Sequence, residues 1–129
     1  MPLTEQQRIF LDEARYGVVG TLNADGSIQQ TVVWFLREGD ELRFSTGAGS
    51  LNARNLRRNP QITLTVEDGA RYLTLSGSGT VEPADPELRL RLALRYLGAE
   101  RAAEWIARRP GAERASVRMS VRRVYGQGI

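Results

Sequence analysis

The chain has 129 residues, 41% hydrophobic and 26% charged, with a formal net charge of +3. It contains no Cys, His or Lys, so all 18 basic side chains are arginine. This excludes disulfides, thiolate and Ser-His-Asp chemistry, a Schiff-base lysine and the usual zinc or redox-metal ligand sets. An enzyme so composed needs an organic cofactor for its hard chemistry. The length suits one domain, residues 1–129. No apolar run approaches the ~20 residues of a membrane span. The start, MPLTEQQRIF, lacks the basic and apolar segments of a signal peptide, so a cytoplasmic location is expected. The sequence pI is 9.9, but the arginines are spread among 15 acidic residues and no basic tail or aromatic RNA-binding signature occurs. Nucleic acid is not an expected partner.

In chain order, Thr4 to Arg15 reads as an amphipathic helix with a Thr4/Gln7 capping box. Its apolar stripe is Leu3, Phe10, Leu11 and Ala14, with Ile9 beside it. Gly17 to Asn23 is β-rich, Asn23 to Gly26 is a turn, and Ser27 to Arg37 is a longer strand, giving a hairpin. Alternation puts Gln29, Thr31, Val33 and Phe35 on one face and Gln30, Val32, Trp34 and Leu36 on the other. Neither face is purely apolar, which suits a barrel wall bordering a ligand or a strand leaving the core. Glu38-Gly39-Asp40 turns the chain into a strand over Glu41 to Thr46.

Thr46 to Gly49 is a small-residue loop before a short helix, Leu51 to Arg58, with Ser50 as its N-cap. Gly47 and Gly49 let backbone approach a ligand, and the helix start offers free N–H groups to a phosphate. An ordinary strand–turn–helix with solvated arginines fits the same spacing. Asn59-Pro60 stops the helix.

Gln61 to Glu67 and Arg71 to Val81 are strands joined at Asp68-Gly69, with Gly77 and Gly79 marking a bulge or bend. Asp85 caps a helix from Pro86 to Leu97, on which Leu88, Leu92 and Tyr96 share a face. Arg89, Arg91 and Arg95 read as its solvated side. A helix from Glu100 to Arg108 ends at Pro110-Gly111, with Trp105 and Ile106 packing inward or onto a partner. Ala115 to Val124 is the last strand. The class is mostly β with α additions, a six-stranded antiparallel barrel.

The stretches Gly17 to Gly26, Val33-Trp34-Phe35, Phe44-Ser45-Thr46, Ala53 to Pro60, Asp68 to Leu73 and Val124-Tyr125-Gly126 together resemble the split-barrel superfamily of pyridoxamine 5′-phosphate oxidase. Within it the chain is most similar to the small oxidoreductases that use the deazaflavin coenzyme F-420. The likeness runs over nearly the whole length. It implies a split β-barrel of the FMN-binding type, a homodimer, and a cofactor groove where two protomers meet. It implies Thr31, Val33 and Trp34 beside the ring, and Ser45, Thr46 and Ser50 near the ribityl phosphate. Arg54 is implied on the phosphate side and Tyr72 as a pocket wall. Leu51 and Asn52 stand where family members commonly carry Arg and Lys, so Asn52 is counted with the cofactor-binding positions and Arg54 with the compensating charges. The implied function is hydride transfer between F-420 and a small conjugated organic substrate. FMN is the alternative cofactor, and a non-catalytic flavin or tetrapyrrole binder the alternative role. No metal site and no catalytic side chain is indicated.

Overall fold

The computed structural model describes residues 3–109 and 113–129. The expected helix stop at Pro110-Gly111 lies outside them. The described elements are α1 (Glu5–Asp12), β1 (Gly17–Leu22), β2 (Ile28–Val33), β3 (Phe35–Glu38), β4 (Glu41–Gly47) and α2 (Leu51–Arg58). They continue with β5 (Gln61–Glu67), β6 (Tyr72–Pro83), α3 (Pro86–Leu97), α4 (Ala99–Arg108) and β7 (Arg114–Gln127).

The described strands form one antiparallel sheet in the order β2-β1-β5-β6-β7-β4-β3. β2 and β3 lie at opposite edges of that order, yet Trp34 alone separates them in sequence. One continuous segment therefore pairs with β1 at one edge and β4 at the other, and this joins the sheet into a barrel. It also accounts for seven strands where the sequence suggests six: the expected strand Ser27 to Arg37 breaks at Trp34.

Burial follows the alternation on the barrel's inner side. Val33, Phe35, Leu42, Phe44, Leu64, Leu75, Val117 and Met119 belong to one buried cluster, closed at one end by Leu3, Phe10 and Leu11. Ala14 is exposed rather than part of the α1 stripe, because the helix ends at Asp12, and Ile9 beside the stripe is exposed as well. Its capping box is formed as expected. Arg15 and Arg71 lie over the Phe10 ring, at 4.3 and 5.0 Å from its centroid. α2 packs on β1 and β6 through Ala53 and Leu56, and its buried Asn55 donates to Thr21 Oγ1 and Asn23 Oδ1 at 3.1 and 2.9 Å.

The β6–β7 register shifts between Ser76 and Gly77, where the sequence suggests a bulge. A Cβ at Gly77 would lie 1.8 Å from the Ser120 carbonyl oxygen, so no side chain fits without moving backbone. Gly77→Ala should destabilise the fold by roughly 2–3 kcal/mol, read from the shift in the urea unfolding midpoint.

The β5–β6 turn gives a second expectation. Asp68 accepts the Arg71 backbone N–H at 2.8 Å and its guanidinium at 2.6 and 2.9 Å, which holds the carboxyl down at about 2. A carboxylate whose folded pKa is depressed stabilises the protein above its unfolded value and loses that effect as pH falls. The Asp68 contribution is whole above its ordinary 3.8 and lost on descending through about 2. Urea midpoints of wild type and Asp68→Asn should differ near neutral pH and converge at the bottom of that window.

Candidate functional site

The break at Trp34 is held from α3. The Tyr96 hydroxyl accepts the Phe35 N–H at 3.2 Å and faces the Arg15 and Phe35 carbonyls at 2.7 and 3.1 Å. Its single proton goes to one of them, and the Arg15 contact is the shorter. The Tyr96 ring stacks on Trp34 with centroids 5.2 Å apart and on Tyr16 at 5.9 Å. Trp34 in turn meets Trp105 of α4 at 5.0 Å, tilted by 38°. Leu36, just past the break, is buried against Leu88 and Leu92. From Trp34 onward both faces are covered, the outer one by α3 at Leu36, whereas Gln30 and Val32 before the break stay exposed, and for that reason the strand shows no clean apolar face.

Beside this aromatic stack is a cavity of about 310 Å³, near the small end of the ~300–1,000 Å³ usual for ligand sites. β2 contributes Thr31 and Val33, the break contributes Trp34, β4 contributes Ser45 and Thr46, and α2 contributes Asn52. The structure thus brings those expected positions together. Ser50 stands behind them: its Oγ accepts the Ala53 N–H at 3.2 Å and lies 2.7 Å from Asn52 Oδ1. Thr46 Oγ1 is also 2.7 Å from Asn52 Oδ1 and 2.9 Å from Ser50 Oγ. Three oxygens share two hydroxyl protons here, so at most two of the three contacts are hydrogen bonds at once. Arg54 is exposed on α2, and Tyr72 lies at the β5–β6 turn opposite Glu67; neither lines this cavity. Leu51 is 37% exposed, whereas Asn52 is 4% exposed and tied into the hydroxyl triangle. A charged residue is accommodated at the first position and not at the second.

Sequence reading misses the cationic side of the cavity. Arg89 of α3, Arg114 of β7 and Trp105 of α4 line it with Leu92. The expectation of a solvated arginine face on α3 fails at Arg89 and Arg95, while Arg91 stays partly exposed in a surface ion pair. Arg89 is buried, Arg91 pairs with Glu38 at 2.6 Å, and Arg95 donates to the Leu11, Asp12 and Glu13 carbonyls that end α1. Arg89 precedes Leu92 by three residues, so its place beside the buried stripe was visible in the spacing. Burial pushes the Arg114 guanidinium below its usual range, and the positive charge of Arg89 pushes it the same way.

A second hollow of about 360 Å³ lies over β1, β5 and β6, lined by Gly20, Thr63, Ser76 and Arg122 among others. It has no aromatic wall and none of the expected site residues. Among the described residues no group of three or more His, Cys, Asp or Glu could hold a metal ion, and no helix is long and apolar enough to cross a membrane.

Residues 3–128 match the family model described as pyridoxamine 5′-phosphate oxidase. The chain belongs to this family. Membership places the protein among the oxidoreductases that work with a flavin-type cofactor. The chain is similar to an F-420H2-dependent biliverdin reductase of Mycobacterium tuberculosis, at 30% identity over 126 residues, 96% of this chain and 88% of that one. A solved structure described as an F-420 reductase superposes with a TM-score of 0.78 at 25% identity, covering 95% of this chain and 98% of the other. A conserved hypothetical protein of Mycobacterium tuberculosis superposes equally, with a TM-score of 0.78 at 26% identity over 96% of this chain and 84% of that one. The mostly β, antiparallel architecture expected from the sequence is the architecture of this family.

Tyr96→Phe tests the anchoring of the break. It leaves the Phe35 N–H without its partner and should cost about 1–3 kcal/mol, measured by denaturant unfolding. Tryptophan emission should change with it, because the ring stacked on Trp34 is no longer tethered by its hydroxyl.

Proposed function

We propose that the cavity between β2, β4, α2 and the α3–α4 pair binds the deazaflavin coenzyme F-420, and that the protein uses it to reduce a small conjugated organic substrate. The observation that carries this reading is the convergence of Thr31, Val33, Trp34, Ser45, Thr46 and Asn52 on one cavity walled by both tryptophans of the chain. Similarity to the F-420H2-dependent biliverdin reductase supports the choice of cofactor over FMN. It also makes a linear tetrapyrrole a reasonable first acceptor to try.

The residues present fit such a group. Trp34 and Trp105 give the cavity an aromatic wall, Val33 extends it, and the Thr46, Ser50 and Asn52 cluster offers polar contacts toward a ribityl or phosphate portion. When bound, the reduced coenzyme supplies a hydride. The chain's own part is to orient the ring and keep water from its face. The lining side chains are Thr, Val, Trp, Ser, Asn, Leu and Arg, none of which exchanges a proton near neutral pH. We infer that the proton accompanying the hydride comes from solvent.

We also propose that residues 1–129 act as one cofactor-binding domain and that two copies associate. Ile28 and Val32 of β2 are 70% and 63% exposed, an apolar edge unusual for a monomer's surface strand. Light scattering at micromolar concentration should return twice the chain mass of 14.4 kDa, and a clean monomer mass would contradict the association.

The chain has two tryptophans, both at the cavity, so tryptophan emission reports its occupancy without interference. Titration with F-420 should quench that emission saturably, and Trp34→Ala should weaken binding by about tenfold, as expected for loss of one aromatic contact. FMN quenching the emission more tightly than F-420 would reverse the choice of cofactor. Absence of any effect from either would remove the reading.

A further inference from the structure

Arg43 is surrounded by carboxylates, and the two arginines at the cavity are not. Arg43, 7% exposed, has Asp85, Glu38 and Glu82 within 3.1, 3.6 and 3.9 Å. Arg89 is about as buried, at 9%, and Arg114 is half-buried beside it. Neither forms an ion pair with any described residue, and Met1, Pro2, Pro110, Gly111 and Ala112 carry no acidic side chain.

Their hydrogen bonds are few and neutral. Arg89 Nη2 donates to the Arg109 carbonyl at 2.6 Å, while its Nε is buried without a partner. Arg114 donates through Nε and Nη2 to Ser45 Oγ, at 3.2 and 3.0 Å. Two like charges side by side in a partly desolvated site are costly without a counter-charge. Asn52, lining the same cavity, has its Oδ1 taken by Thr46 and Ser50, and its amide nitrogen makes no hydrogen bond to a described residue.

We propose that Arg89 and Arg114, with the Asn52 amide, form an oxyanion subsite that takes a carboxylate or phosphate group of the bound ligand. The planar guanidinium matches such a group with paired N–H donors. The inference rests on the reading of this cavity as the cofactor and substrate site. It relocates the positive charge of the site: α3 and β7 supply what Leu51 and Asn52 at the start of α2 do not. The oxyanion belongs either to the cofactor, as its phosphate, or to the substrate, as a carboxylate.

Tryptophan emission, followed while wild type, Arg114→Gln and Arg89→Lys are titrated with defined probes, separates these sources. The probes are FMN against riboflavin, F-420 against its dephosphorylated deazaflavin, and cinnamate as a conjugated carboxylate. Arg114→Gln should weaken the anionic probe at least about tenfold, from the loss of a charge-assisted contact, and leave riboflavin unchanged. Arg89→Lys keeps the charge without the fork and should weaken the same probe to a smaller extent. A loss confined to FMN and F-420 assigns the subsite to the cofactor phosphate, and a loss confined to cinnamate assigns it to the substrate. Arg114→Gln binding FMN, F-420 and cinnamate as tightly as wild type would overturn the subsite while leaving the cavity reading intact. Wild type that binds none of the probes, riboflavin included, would overturn both.

Discussion

The structure depends on the way one strand is broken at Trp34. Before the break the chain completes one edge of the sheet against β1, and after it the other edge against β4. A sheet whose two edges are consecutive in sequence is closed by covalent connection, which leaves little freedom in where its edges meet. The break needs a partner for the backbone it exposes, and Tyr96 of α3 supplies one through its hydroxyl while its ring supports Trp34. The helical pair after β6 is thereby fixed over the seam. The cavity lies there because barrel wall, α2 and helical pair meet beside an interrupted ladder.

Charge is distributed to match. With arginine as the sole basic residue, most guanidinium groups serve as multi-donor struts. Arg95 satisfies the carbonyls at the end of α1, Arg37 holds Asp12 at 2.7 Å, and Arg43 and Arg118 knit Glu38, Glu41, Glu82 and Asp85 into a network at the opening of α3. Planar, always charged groups with several donors suit this work better than ammonium groups do. Against that background, two arginines beside a cavity without carboxylates are informative. The exception, more than the overall positive balance, is what points to a ligand.

Much of this was legible in the residues. Ser50 and the Asn59-Pro60 stop delimit α2, Asp85-Pro86 and Gly98 delimit α3, and Gly77 marks the bulge, because caps and breakers act locally. The cavity's β2 and β4 walls came through family resemblance, since Thr31 or Ser45 carries no signal by itself. What stayed hidden is tertiary. Nothing near Trp34 in sequence announces a break, because its cause is a tyrosine 62 residues on. Arg89 carries a spacing signal on α3 but Arg114 carries none, and only folding brings the two to one cavity.

The central claim is that the aromatic and cationic cavity at the Trp34 break is where the cofactor binds. A crystal structure of the protein grown with F-420 tests it most directly. The account predicts the deazaflavin ring against Trp34, with polar contacts to Thr46 or Asn52. Ligand density in the hollow over β1, β5 and β6, with the Trp34 cavity containing only water, would contradict it.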